Sequence, residues 1–243
     1  VIARALVLAV AMTLPTAAAL VYFVGMESPS GAKASVAMQA TYAGSKVVQF
    51  ALPVLWFVLW GNLPLAAWKP TRKGLALGLG FGLAVGGAML GIYYGFLRDH
   101  PLLQHTPEKL RAKVTGLGCN EPMAFLALAV FLSTLHSLGE EYYWRWFVFG
   151  ELRPWMPHGL AIFVGGLAFM AHHVVILTVY FPGRFWLAAL FSLGVAIGGW
   201  FWNWLYDRTG SVYPGWVGHA LIDGAIMVIG FDLIFVHLPT VIH

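Results

Sequence analysis

Seven stretches of about 20 apolar residues, broken by short polar segments, decide what this chain can become. They fall at 2–24, 47–68, 74–97, 122–150, 159–181, 185–206 and 214–237. About 20 residues of helix cover the roughly 30 Å hydrocarbon layer of a bilayer. In lipid every backbone N–H and C=O must find its partner inside the segment, which a helix does unaided. The expected fold is therefore all-α: a polytopic bundle of seven to eight membrane helices. Composition agrees, with 60% hydrophobic and 10% charged residues among 243. A water-soluble domain carries about 25% charged residues, so there is too little polar surface here to coat one. The mean hydropathy of +0.77 points the same way.

The formal net charge is +4 and the pI about 9.3. The few basic residues sit mostly between apolar stretches, as at a membrane surface, so nucleic acid is excluded as a partner. A lone cysteine, Cys119, excludes an internal disulfide and a cysteine-based metal site. The first span has leader-like features (Arg4, then Ala17, Ala18 and Ala19) but is long enough to be read as a retained helix. The fourth is longer than a bilayer needs and is expected to tilt or protrude. Residues 25–46, rich in Ser, Gly and Ala, read as a loop. Residues 98–121 are the most polar segment and are expected to include a short interfacial helix. The short, dense basic turn at Lys69, Arg72 and Lys73 favours a cytoplasmic second loop, against the also basic loop 98–121 on the opposite face; a multi-pass protein of a prokaryotic cytoplasmic membrane is expected. No repeat and no second domain is legible, so 1–243 reads as a single integral membrane domain. Glycines crowd the third, fifth and sixth spans (Gly78, Gly80, Gly82, Gly86, Gly87; Gly165, Gly166; Gly198, Gly199), which predicts close helix contacts.

Chemistry is suggested by what the later spans tolerate. An ionisable side chain at the bilayer centre costs about 2.5–3.5 kcal/mol by insertion scales. Yet span four holds His136, Glu140, Glu141 and Arg145, span five His172 and His173, and span seven His219, Asp223 and Asp232. Residues three or four apart share a helix face. That spacing pairs Glu141 with Arg145, His136 with Glu140, and His219 with Asp223. With Glu141 neutralised, Glu140 is left to face a cavity, where a carboxylate held away from bulk water is suited to take a proton from water. At roughly 1.5 Å per residue, Glu140, His173 and His219 lie about 15, 21 and 8 Å from the same membrane face. A lone intramembrane histidine is more often packed and hydrogen-bonded than catalytic, and His105, His136, His158 and His172 are read that way. Asp207 and Arg208 read as a solvated turn, and Asn203 with Trp200, Trp202 and Trp204 as an interface or groove wall. Asp232 has no assigned role.

Glu140-Glu141-Tyr142-Tyr143-Trp144-Arg145 matches an EExxxR motif, Phe169 to His173 matches FxxxH, and His219 to Asp223 matches HxxxN/D. In this order the three resemble the CaaX protease and bacteriocin-processing (Abi) family, over about 120–237; residues 1–97 carry no such motif. The resemblance implies a glutamate-type intramembrane endopeptidase that cuts near the end of a membrane-anchored or lipidated protein or peptide, without a cofactor. Carried over to this chain, Glu140 and His173 activate water, and His219 and Asp223 stabilise the oxyanion. Glu141 and Arg145 support them, together with Phe169, His136 and His172. Asp223 departs from the Asn of the CaaX-type enzymes, and an ionised Asp would repel an oxyanion, so it must be protonated or instead orient His219. His172 stands beside the motif histidine, about 100° around the helix, so only one of the two need enter the site.

Three other readings stay open. His136, Glu140, His173, His219 and Asp223 form a conceivable ligand set for zinc or iron. A bacteriocin-immunity or scaffold protein could keep the same pocket without cutting anything. A transporter could use the same ionisable groups as a proton relay, although no inverted repeat supports it.

Overall fold

The computed structural model describes residues 2–24, 32–60, 68–103 and 106–237. Eight helices follow in order among them. They are α1 (Ile2–Ala19, prolonged by a π turn Leu20–Val24), α2 (Ala32–Trp60), α3 (Arg72–Ile92, with a π turn Tyr93–Leu97) and the short α4 (Thr106–Gly116). Then come α5 (Pro122–Trp155), α6 (His158–Tyr180), α7 (Phe185–Thr209) and α8 (Tyr213–Phe231, with a π turn Asp232–Val236). Seven of them are long and apolar enough to cross a membrane, as the hydropathy predicts, and α4 is the helix expected in the polar segment. At 34 residues α5 is the longest. It alternates α and π turns, with π segments at Leu132–His136 and Tyr142–Phe149.

The expected loop at 25–46 is corrected in part. From Ala32 onward the chain is helical and runs unbroken to Trp60. Alanine, lysine, methionine and glutamine are good helix formers, and hydropathy alone undervalues a helix that starts with them. Residues 25–31 and His105 lie outside the described residues.

The chain divides into two compact units, Val1–Lys69 with Glu140–Val212, and Pro70–Gly139 with Tyr213–His243. In the first, α6 packs on α7 through small residues. A Cβ on Gly199 would stand 3.2 Å from the Gly166 Cα. Trp200 lies against Gly166 and donates its indole N–H to the Phe163 carbonyl at 3.0 Å. Asn203, buried, donates to the Ile162 carbonyl at 3.1 Å. Asn203 and Trp202 are thus core residues, which corrects the interface reading. Asp207 lies inside α7 and meets Arg153 at 3.5 Å and His158 at 3.1 Å, which corrects the solvated turn.

In the second unit α3 packs on α8. Gly74, Gly78, Gly82 and Gly86 recur every fourth residue and are all buried, forming a small-residue seam. A Cβ on Gly82 would come within 2.8 Å of the Gly218 carbonyl oxygen, and one on Gly78 would collide with the Pro214 carbonyl. Gly80 and Gly87 meet nothing within 4 Å. The far ends of the two helices are fastened by Asp232. It accepts from the Tyr93 hydroxyl at 2.7 Å and from Arg98 through Nε at 2.8 Å and Nη2 at 2.9 Å. Arg111 of α4 donates to the Ile234 carbonyl at 3.1 Å.

The glycine seam gives a sharp contrast. Gly78→Ala must push α3 off α8 and should lower the thermal unfolding temperature in detergent by several degrees. Gly80→Ala should leave it unchanged or slightly raised, because alanine favours a helix over glycine by about 1 kcal/mol. Equal behaviour of the two variants would refute the seam.

Candidate active site

The π segment of α5 sets the geometry. An i→i+5 turn is wider than an α turn, and four successive side chains radiate from it to different neighbours. The Tyr142 hydroxyl donates to the Phe50 carbonyl of α2 at 3.1 Å, and the Tyr143 hydroxyl to the Ala11 carbonyl of α1 at 2.8 Å. Trp144 stacks parallel to His172 of α6, with ring centroids 5.8 Å apart. Arg145, fully buried, lies beside the rings of Phe169 (4.5 Å) and Trp202 (5.0 Å). Its Nη1 is 3.1 Å from Glu141 Oε1, and neither side chain is more than 1% exposed. The two rings, T-shaped to one another, each offer the guanidinium a cation–π contact. Glu141 and Arg145 therefore form the buried pair that the spacing predicts.

Glu140, one residue earlier, is 5% exposed. His172 Nε2 stands 3.8 Å from its Oε1, so the extra histidine has a place at the carboxylate that motif matching did not give it. Its ring lies beside that of His173, centroids 4.0 Å apart. His173 Nδ1 is 3.1 Å from the Phe169 carbonyl oxygen. A carbonyl only accepts, so Nδ1 carries a proton, and in the neutral ring Nε2 is the acceptor nitrogen. The FxxxH spacing thereby acquires two physical meanings. The Phe169 ring covers Arg145, and its carbonyl fixes the tautomer of His173.

Two further residues of this unit were missed in the sequence. Lys46 and Tyr42 of α2 lie within electrostatic range of Glu140. The sequence reading began the second span at 47 and left both in a loop. The available signal was the polar pair Lys46 and Gln49, three residues apart on one helix face.

The second unit holds the third motif. His219 is 4% exposed, and its Nε2 lies 3.7 Å from Asp223 Oδ2. That is too long for a hydrogen bond, and the two stand one turn apart on the same face of α8. Trp216, one turn earlier, donates to the Thr134 carbonyl at 2.9 Å and fastens α8 to the first π turn of α5. His136 ends that turn, half-buried. Among the described residues no three His, Cys, Asp or Glu side chains are grouped so as to hold a metal ion.

Residues 122–225 match the family described as Type II CAAX prenyl endopeptidase, Rce1-like. That segment is a little under half of the chain and contains all three motifs. No curated protein and no solved structure matches. The family match bears out the resemblance to the CaaX protease and bacteriocin-processing family, carried by the later helices.

Breaking a buried ion pair from one side leaves an uncompensated charge, at a cost of about 3–5 kcal/mol. Arg145→Leu should therefore unfold the protein at markedly lower temperature. Adding Glu141→Leu to it should restore much of the loss. A double-mutant cycle on thermal unfolding in detergent reads the coupling, and additive effects would contradict the pairing.

Proposed function

We propose that this chain is a glutamate-type intramembrane endopeptidase acting near the end of a membrane-associated or lipid-modified protein or peptide. The family match supports a CAAX-type peptide hydrolase. Glu140 is the observation that carries the finer reading. It is a nearly buried carboxylate on a helix pinned to its neighbours, with one imidazole nitrogen at 3.8 Å and a second histidine, its Nδ1 held by the Phe169 carbonyl, beside the first.

On this reading a water molecule between Glu140 and His173 gives up a proton to the carboxylate while its oxygen attacks the scissile carbonyl carbon. His173 Nε2 accepts the water's other hydrogen in a hydrogen bond and aims its lone pair. The carbonyl oxygen becomes an oxyanion, to which His219 donates. Asp223 is assigned to orient His219 rather than to touch the oxyanion, which an ionised carboxylate would repel. Glu140 then returns its proton to the leaving nitrogen as the C–N bond breaks, giving an acid and an amine. His172 holds Glu140 in position, and Glu141 with Arg145 fixes the helix that carries it.

Glu140→Gln keeps the shape and removes the base, so cleavage should fall by roughly 10²–10⁴-fold, the usual worth of a general base. His173→Ala should fall comparably. Cells carrying Glu140→Gln should accumulate uncut membrane-anchored precursors. Undiminished cleavage by that variant would sink the proposal. Biological function retained by both Glu140→Ala and His173→Ala would instead indicate an immunity or scaffold protein.

The metal reading is tested separately. Chelator-washed protein should keep its activity. A stoichiometric ion whose removal abolishes cleavage, and whose return restores it, would establish the zinc alternative.

A further inference from the structure

Lys46 stands where a cation needs a reason to be. It lies six residues into the span Ala40–Trp60, about 9 Å along the helix. Charged residues at such positions pair with one another or mark a ligand path. Lys46 is half-buried, its ammonium 5.5 Å from the Tyr42 ring centre, and its Nζ donates to Gln49 Oε1 at 3.1 Å. Among the described residues no carboxylate makes an ion pair with it.

Gln49 makes the arrangement more telling. It is 2% exposed. A lysine ammonium has no acceptor, so the oxygen of the Gln49 amide must face it and the amide orientation is fixed. Its Nε2 is then a buried donor with no acceptor among the described residues. Leaving such a group unsatisfied costs about 1–3 kcal/mol. A lysine that merely snorkelled to the membrane surface would have no use for it. Two donors, one of them charged, thus stand one turn apart on one face of α2. Four residues on from Lys46, the Phe50 carbonyl is tied to Tyr142, two residues past Glu140. The donor pair and the proposed base are fixed to one another through that bond.

We propose that Lys46 and Gln49 receive the free C-terminal carboxylate of the peptide that is cut. The inference rests on the endopeptidase reading and specifies its substrate. A bond near the end of a chain has the terminal carboxylate only a few residues away, and three extended residues reach about 10 Å. The carboxylate pairs with the ammonium and takes the Gln49 N–H with its second oxygen. The flexible stem of Lys46 shifts to admit it. A site built for a charged acceptor rejects a substrate lacking it, because the donors are left unpaired. Selection for chain ends over internal bonds follows directly.

The test uses the full-length protein in detergent and a farnesylated CaaX peptide in two forms, free acid and C-terminal amide. Wild type should cleave the acid with a KM at least about tenfold lower, equivalent to 1.4 kcal/mol, at similar kcat. Lys46→Met and Lys46→Gln should raise the KM for the acid so that the ratio approaches one. Lys46→Arg should keep most of the preference, and Gln49→Met should lose part of it. Cleavage of the amide peptide reports that each variant is folded. A wild type that does not distinguish acid from amide overturns the proposal while leaving the protease reading intact, and would fit an anionic lipid phosphate at Lys46. Discrimination undiminished in Lys46→Met also overturns it. A wild type that cuts neither peptide removes the endopeptidase reading and this inference together.

Discussion

The contact on which the first unit depends is the ion pair of Glu141 with Arg145, set against the rings of Phe169 and Trp202. Taking both charges out of water is expensive, and a hydrophobic pair would often be as stable or more so. What the pair supplies is phase. It locks the rotation of α5, and rotation decides where the preceding residue points. With Glu141 turned to Arg145, Glu140 is turned to His172. The same Phe169 that covers the guanidinium lends its carbonyl to His173. Two motifs on two helices are thus one physical device, with each residue type set by its neighbour.

The helices without motifs have a matching purpose. In the first unit α1 and α2 offer backbone carbonyls, Ala11 and Phe50, to the two tyrosines that follow Glu141. Pro15, four residues on from Ala11, has no N–H to return to that carbonyl, so the Tyr143 hydroxyl takes up an acceptor the helix itself leaves open. The tyrosines can be read in the sequence and their acceptors cannot. In the second unit the glycine seam of α3 supplies close approach to α8, and Asp232 holds the opposite end.

Hydropathy made the spans legible because lipid imposes length and apolarity whatever the fold. The i, i+4 rule made Glu141–Arg145 and His219–Asp223 legible because both partners sit on one helix. It failed where the partner came from elsewhere. Asp232 is satisfied by Arg98, 134 residues away, and no spacing on its own helix hints at that. The π turns in α5 were also invisible: Tyr142–Phe149 is crowded with aromatic side chains, but such a composition does not tell an i→i+5 turn from an α turn. They matter most at Tyr142–Arg145, where the wider turn spreads four side chains to separate partners. His172 points about 100° from His173 around the helix, yet a ring at that angle still reaches Glu140, which gives its supporting role a physical form.

Pairing explains how so many ionisable groups persist in apolar helices. Glu141 has Arg145, Glu140 has His172, His219 has Asp223, and Asp232 has Arg98. Each charge is offset by an opposite or protonatable neighbour within 4 Å, so the cost of burial is reduced where the chain folds. Lys46 departs from that rule, because its hydrogen-bond partner is a neutral amide. Among the described residues this cation has an amide dipole and an aromatic ring beside it rather than a carboxylate, and its field extends to Glu140. Such an arrangement is costly for a resting structural residue. It becomes economical if an anion arrives with each turnover, since the unspent charge then contributes to binding in place of folding.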